Sequence, residues 1–513
     1  MSTTKRFAVG VVLSLAFGIT ACADDEDITS PRTVPSFAAQ ARVDGPSSLD
    51  LIEQDYQIGL LDRDNANRYR QYAVFAPQRL PAKYRTSVVG KDATYSMVQL
   101  AKEFDRLSAP AQEEILELQA DGFGNLQNTH QTTHFVLHYA TAGADAVPLI
   151  DTNGNGTPDF IDAAAQSWET IWDREINQLG YPAPKGTPAQ KFHVYYKHLS
   201  YYGYAAPTNV ELIATSPVAY GTASAYIVIE NDFYGFPRND EDVTGAELVR
   251  TGALKATQAH EFMHALQFNI NVYGSGWLME SHATWAEDAV YDHINDWHWY
   301  INRFLATPDF PLFSRYLYGA AYFQNWLSEN KGIDVQRQIW LAHRTQTASN
   351  AILNVAFGGS WEGIKDFAAA QYLLDISDFT TDGASVIPLP RNFIRDTHSS
   401  YPVSVTVGPS TNREANRAPW GLGSNFVEFN ASQSGTITIT FDGTDGFAWR
   451  TYLVATPKAG GPDVVYPITL DAASAGSISI GNFGTRWSKV TLVPNIAATA
   501  GAEVPYAYSA VVE

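Results

Sequence analysis

The sequence predicts an α+β chain: a helical N-terminal region, a domain in which a small mixed sheet precedes helices, and a C-terminal all-β sandwich. Three observations carry this prediction. Between residues 49 and 120 apolar side chains recur at three- and four-residue steps. From residue 131 to 391 short alternating runs of β-branched and aromatic residues give way to helical segments, the order expected of α+β rather than of repeating βα units. Beyond Asn392 the composition shifts to Ser, Thr, Gly and Val, in short alternating runs separated by turns. With 513 residues, 45% of them hydrophobic, the chain can bury a large core. Its formal charge of -20 argues against nucleic acid as a partner, because binding phosphate needs a basic surface.

Residues 1–22 read as an export signal. Lys5 and Arg6 give a charged start, and Phe7 to Phe17 an apolar run too short to span a bilayer. The run closes on Ile19-Thr20-Ala21-Cys22, which resembles the lipobox of bacterial lipoproteins, so Cys22 is the expected lipidation site and membrane anchor. It is the single cysteine of the chain, which excludes an intrachain disulfide. Ala23 after it implies outer-membrane sorting in bacteria with two membranes. The expected location is therefore the outer membrane or cell surface, with release into the medium if the chain is cut near residues 115 to 135.

Residues 23–48 are acidic and rich in Pro, Ser and Ala, as in a flexible tether. The helical region, 49–130, shows Leu49, Ile52, Tyr56 and Leu60, then Met97, Leu100, Phe104 and Leu107 on common faces. It reads equally as a propeptide or as an arm packed on the rest. The central domain, 131–391, has expected strands at His134 to Tyr139, Phe192 to Tyr196 and Ala225 to Glu230. Its expected helices are Leu254 to Phe268, Leu278 to His293, Ala320 to Asn330 and Val335 to His343. In the C-terminal domain, 392–513, strands are expected at Val403 to Val407, Phe426 to Phe429, Thr436 to Phe441, Thr451 to Ala455, Ile478 to Ile480 and Val490 to Val493.

The strongest chemical signal is His260-Glu261-Phe262-Met263-His264, inside the apolar helical stretch. Residues four apart share a helix face, so both imidazoles can reach one zinc ion while Glu261 projects beside them toward water. Two histidines and a carboxylate on an ordinary helix is the competing reading. A catalytic zinc needs a third protein ligand and an open position. Trp277-Leu278-Met279-Glu280-Ser281-His282-Ala283-Thr284-Trp285-Ala286-Glu287 offers Glu280, separated from His264 by fifteen residues, and Glu287 two turns later.

Over roughly residues 151 to 332 these motifs resemble the gluzincin zinc metallopeptidases, of aminopeptidase N and thermolysin type, and a group of bacterial lipoprotein metalloproteases with a calcium-type loop upstream. The resemblance implies a zincin-like core in which His260, His264 and Glu280 hold zinc and Glu261 is the general base. Glu287 would orient a ligand histidine. Glu287 as the ligand stays open, and His282 is expected at the substrate cleft or the surface. The aminopeptidase-type enzymes steady the oxyanion with a tyrosine in Tyr-x-Lys-Gly, and Tyr316-Leu317-Tyr318-Gly319 is similar, with Tyr318 in place of the lysine. Tyr316 and Tyr318 both remain candidates, as does plain aromatic packing. Gluzincins align peptide substrates on an edge strand, expected here at Ala225 to Glu230.

The implied activity is hydrolysis of peptide bonds, with Glu261 taking the proton of zinc-activated water. No Gly-x-Met-Glu-Asn motif for gripping a free N-terminus is found, which favours an endopeptidase over an aminopeptidase. A surface-binding lipoprotein that works through its β-sandwich is the alternative from another class.

A second metal is expected at Asp151-Thr152-Asn153-Gly154-Asn155-Gly156-Thr157-Pro158-Asp159-Phe160-Ile161-Asp162. Asp151, Asn153, Asn155, Asp159 and Asp162 stand at positions 1, 3, 5, 9 and 12 of an EF-hand-type loop, Thr157 at position 7 and Gly156 at the sharp turn. Asp162 in place of Glu, and two Asn, point to weak structural binding of Ca2+. An Asn-Gly turn without metal is the competing reading.

Overall fold

The computed structural model describes residues 45–120, 123–242, 250–380, 387, 393–409 and 418–513. The signal, the tether up to residue 44 and Cys22 lie outside the described residues. The chain is mixed α/β, with helical segments at the start and a β-sheet region at its end, as expected. Contacts divide it into two compact units. The first comprises Met1–Asp173, Pro182–Thr215 and Ala219–Tyr273, and the second Arg174–Tyr181, Ser216–Val218 and Gly274–Glu513.

The first unit is built on six strands: β1 (Gly90–Asp92), β2 (Asn128–Gln131), β3 (Phe135–Tyr139), β4 (Phe192–Lys197), β5 (Tyr201–Ala214) and β6 (Tyr220–Glu230). Their order across the sheet is β1-β5-β6-β4-β3-β2. β3, β4 and β6 run parallel, β5 is antiparallel to β6, and β1 is parallel to β5. The sheet is therefore mixed. β6 holds the segment expected at a sheet edge, but it is paired on both sides, with β4 and β5, and has no free edge to offer a peptide. That expectation failed because β5, which carries Gly203, Pro207 and a left-handed Asn209, shows no alternating pattern that would announce a strand.

Alternation along β3 and β4 turns Phe135, Leu137, Phe192, Val194 and Tyr196 to one side. There Phe262 of the Thr251–Asn271 helix packs against Phe135, Phe192, Trp168 and Trp172. Burying such rings contributes roughly 1.5–3 kcal/mol each. A second cluster joins Ile52, Tyr72, Tyr84, Ala93 and Met97 of the N-terminal helical region to Tyr201, Tyr204 and Val228 of the sheet. This helical region is thus integral to the unit's core.

The Thr251–Asn271 helix is buried along nearly its whole length. Its first turn is capped from a distance, Asp242 accepting from the N–H groups of Gly252 (2.9 Å) and Ala253 (3.2 Å).

In the second unit the helix Gly276–Tyr291 packs with Ala321–Lys331, Gln324 Nε2 donating to Ser281 Oγ at 2.8 Å. Nine strands follow: β7 (Asp396–His398), β8 (Val403–Val407), β9 (Val427–Asn430), β10 (Gly435–Gly443), β11 (Trp449–Pro457), β12 (Val464–Ile468), β13 (Ala475–Phe483), β14 (Trp487–Ile496) and β15 (Tyr506–Val512). They form two runs, β12-β11-β14-β9-β7 and β13-β10-β15-β8, joined at the pair Phe483 and Trp487. Ile437, Phe441, Leu453, Val490, Leu492 and Tyr508 from both runs share one core. Among the described residues no helix is long and apolar enough to cross a membrane.

Candidate metal centre

His260, Glu261 and His264 sit in the middle of the buried helix, each no more than 1% exposed. The helical repeat of 3.6 residues stacks the two imidazoles on one face, their Nε2 atoms 3.1 Å apart. Two nitrogens bound at about 2.0–2.1 Å to one tetrahedral zinc lie roughly 3.3 Å apart, so the spacing suits a shared ion. Nδ1 of His264 meets Gln267 Oε1 at 2.8 Å. As the donor there, it leaves Nε2 as the ligand nitrogen.

Asp92, His260 and His264 of the first unit each bring one ligand atom to within 4.8 Å of the others, and all three are buried. Two imidazoles and a carboxylate form a donor set that zinc accepts. Asp92 was not legible in the sequence; Glu280, the expected third ligand, is buried on the Gly276–Tyr291 helix of the second unit. Asp92 belongs to β1, which pairs with β5 at Gly90 and Tyr201 and again at Asp92 and Gly203. Its Oδ2 lies 3.1 Å from His260 Nε2, and its Oδ1 accepts from Thr94 N–H at 2.7 Å.

Glu261 is next to this cluster. Thr94 Oγ1 donates to Glu261 Oε2 at 2.8 Å and accepts from Ala205 N–H at 2.8 Å. Burial, and then the Asp92 charge, push the Glu261 carboxyl up to about 8, against the opposing influence of the two imidazoles. β5 runs hard against this part of the helix. A Cβ added at Gly203 would stand 2.9 Å from Val228 O, 3.0 Å from Thr257 Cγ2 and 3.3 Å from Glu261 Cγ, so only glycine fits.

The other sequence-derived candidates are Glu287, His282, Tyr316 and Tyr318. Glu287 is buried on the Gly276–Tyr291 helix. His282 is neither at a cleft nor at the surface. It is fully buried, stacks on Trp285 and bonds to the hydroxyl of Tyr181 at 2.8 Å. Tyr181 and Trp340, both remote in sequence, enclose it, which no local pattern reveals.

Tyr316 and Tyr318 are half-buried in the turn before the Ala321–Lys331 helix, their rings 5.6 Å apart. The Arg303 guanidinium lies 3.7 Å over the Tyr316 ring, a cation–π contact that fixes that ring.

The Asp151–Asp162 segment forms a tight loop, exposed from Thr152 to Gly156, that runs into the helix Asp159–Trp172. Asp151 accepts from the N–H groups of Gly154, Asn155 and Gly156 at 2.8, 3.2 and 2.9 Å. The side-chain amides of Asn153 and Asn155 donate to Asp162 Oδ2, and Thr152 donates to Asp159. Thr157 N–H donates to Asn155 Oδ1 at 2.7 Å. Gly156 has φ +86, the left-handed conformation that the turn requires.

Fold and site together define a mixed α/β protein with a buried candidate metal centre. Residues 119–461, more than half of the chain, match DUF6055, a family of unknown function, and the chain belongs to that family. No curated protein matches the sequence. Slight structural likenesses include the pre-peptidase C-terminal domain of a collagenase from Bacillus anthracis, at 9% identity and TM-score 0.17, covering 23% of this chain and 98% of that one. The copper-binding surface protein CorA of Methylomicrobium album BG8 covers the same shares at 9% identity and TM-score 0.16. A chitosan-binding module of a Paenibacillus sp. IK-5 chitosanase/glucanase, at 13% identity and TM-score 0.14, covers 21% of this chain and 93% of that one. These likenesses are too slight to bear on fold or function.

Proposed function

We propose that the chain is a zinc-dependent metalloendopeptidase of gluzincin type, exported and anchored through lipid on Cys22. The observation that carries this reading is the joint burial, on one helix face, of two imidazoles with converging Nε2 atoms and a carboxyl beside them. His260, His264 and Glu280 would hold the ion. Zinc bound there would supply Lewis acidity toward water and a peptide carbonyl. Glu261 is the proton carrier. It would take a proton from attacking water and return it to the leaving amine. Tyr316 and Tyr318 remain the two candidates for steadying the oxyanion. The Asp151–Asp162 loop would take Ca2+ in a structural role.

A second reading is favoured by one observation. Asp92 lies against His260, and counted with the expected Glu280 it would make four protein ligands, a closed metal site of the structural kind, as a surface-binding lipoprotein with an inert core would have. Hydrolysis of a quenched peptide library separates the two. Zinc-loaded chain, with Asp92 intact or replaced by Ala, is compared with the same chain carrying Glu261→Gln. Cleavage that vanishes with the Glu261→Gln substitution and with chelator supports the peptidase. If neither chain cleaves more than its Glu261→Gln counterpart, the reading fails.

A further inference from the structure

We infer that the segment Gly90 to Thr94 is a built-in plug, which holds the metal centre closed by giving it Asp92 as a fourth ligand and by engaging the proposed base through Thr94. This inference rests on the peptidase reading and adds its regulation.

The segment meets both halves of the chemistry at once. Asp92 Oδ2 approaches His260 Nε2 at 3.1 Å, in a cluster that already holds two imidazoles. A hydrolytic zinc site keeps one position open for water, whereas a fourth protein ligand, beside the expected Glu280, fills it. Two residues on, Thr94 Oγ1 binds one carboxylate oxygen of Glu261, Oε2, and so takes one of the two acceptors an attacking water could use.

The backbone is fixed as firmly. Gly90 and Asp92 pair with Tyr201 and Gly203 of β5, Ala93 N–H donates to Gly203 O at 3.1 Å, and Ala205 N–H donates to Thr94. A short extended segment added beside β5 is the mode in which a peptide would be gripped, so the plug also takes the ground a substrate needs. Gly90 has no room for a side chain, its added Cβ falling 2.2 Å from Tyr201 Cε1. Lys91, Asp92 and Thr94 are all nearly inaccessible to water.

Asp92 is also the odd member of the set by origin. It lies 168 residues from His260, on a strand of three residues carried by the N-terminal helical region. His260, Glu261 and His264 share one helix, whereas the plug enters from a separate piece of chain.

The test uses the full chain, wild type and Asp92→Ala, with cobalt in place of zinc for a spectroscopic readout. Asp92→Asn, which keeps an acceptor for Thr94 N–H but loses the charge, guards against misfolding, and thermal melts check all three proteins. The expected result is a wild-type cobalt absorption band indifferent to azide, and bands in both variants that shift when azide takes the vacated position. Because activity scales with the fraction of molecules whose site is open, peptide hydrolysis by the zinc forms rises roughly tenfold or more on substitution.

Azide shifting the wild-type band as readily as the variants' would overturn the plug, as would equal hydrolysis by wild type and variants. Loss of cobalt from a folded Asp92→Ala chain would overturn it too, by making Asp92 a permanent ligand. If no form hydrolyses peptide, the peptidase reading falls alone, and the azide comparison still decides whether Asp92 closes the site.

Discussion

The His260–His264 helix and the Asp151–Asp162 loop both carry metal-binding patterns, and they are built in opposite ways. In the loop every acidic side chain finds its partner within twelve residues, and the turn from Thr152 to Gly156 is exposed. In the helix the titratable groups are buried and meet partners from far away, Asp92 and Thr94. An exposed loop can satisfy itself with its own N–H groups and water, so a cation there adds stability without being needed for folding. Buried carboxyls and imidazoles must be protonated, paired or bound to a cation, so here the ion and the fold are strongly linked.

The largest effect expected from that contrast is on zinc affinity. Removing an imidazole with His264→Ala should weaken zinc binding well beyond the roughly 10- to 100-fold that accompanies loss of an outer partner. Gln267→Ala, which removes only the oxygen beside His264 Nδ1, should fall within that lower range. Competition against a chromophoric chelator measures both. Wild-type affinity in Gln267→Ala would show that the glutamine does not orient the ligand.

Next in size is the response of the backbone to a single added methyl. Gly203→Ala puts that carbon against Val228 O and the Glu261 side chain, and overpacking of this kind costs about 1–3 kcal/mol. Gly154→Ala in the loop meets nothing within 4 Å, and its cost is the strain of φ +69, about 1–2 kcal/mol for a residue with a Cβ. Denaturant midpoints, converted with a common slope, should rank Gly203→Ala as the more damaging. A reversed order would mean that β5 can shift away from the helix at little cost.

The same division explains what could be read in the sequence. Elements with a strong local period were legible: the expected helix Leu254 to Phe268 is the core of Thr251–Asn271, and the expected strand Val403 to Val407 is β8 with the same bounds. Among the N-terminal helices, Ile52 and Met97 are buried against the sheet, whereas Leu100 and Leu107 pack on Ala111 and Ile115, and Leu60, past the end of its helix, is exposed. β5 was not legible, because Gly203, Pro207 and Asn209 break its alternation while its partners on both sides hold it extended.

At the metal centre, the spacing of His260 and His264 is set by the helix repeat and so is visible one turn at a time. Asp92 was hidden for a physical reason. Two residues before the Thr94–Glu103 helix begins, it belongs to no periodic pattern, and one of its oxygens binds Thr94 N–H locally. Its second oxygen, on His260, is a matter of tertiary structure alone.

The smallest effect belongs to the loop. Weak sites of the extracellular kind bind calcium with Kd of about 10⁻⁴–10⁻³ M, so 10 mM calcium over a Kd of about 1 mM would stabilise the chain by roughly 1.4 kcal/mol. That is a modest rise in melting temperature, and it should be absent with magnesium, which demands a tighter octahedral shell. Asp151→Ala should abolish the calcium-dependent rise, because this carboxylate is at the first ligand position and also organises the turn at Gly154, Asn155 and Gly156. It should also lower the melting temperature slightly without calcium, since three N–H donors lose the acceptor that shapes the turn, while zinc affinity stays unchanged. A wild-type melt that ignores calcium would reduce the loop to a self-satisfied turn. A calcium effect that survives Asp151→Ala would move the site to other oxygens.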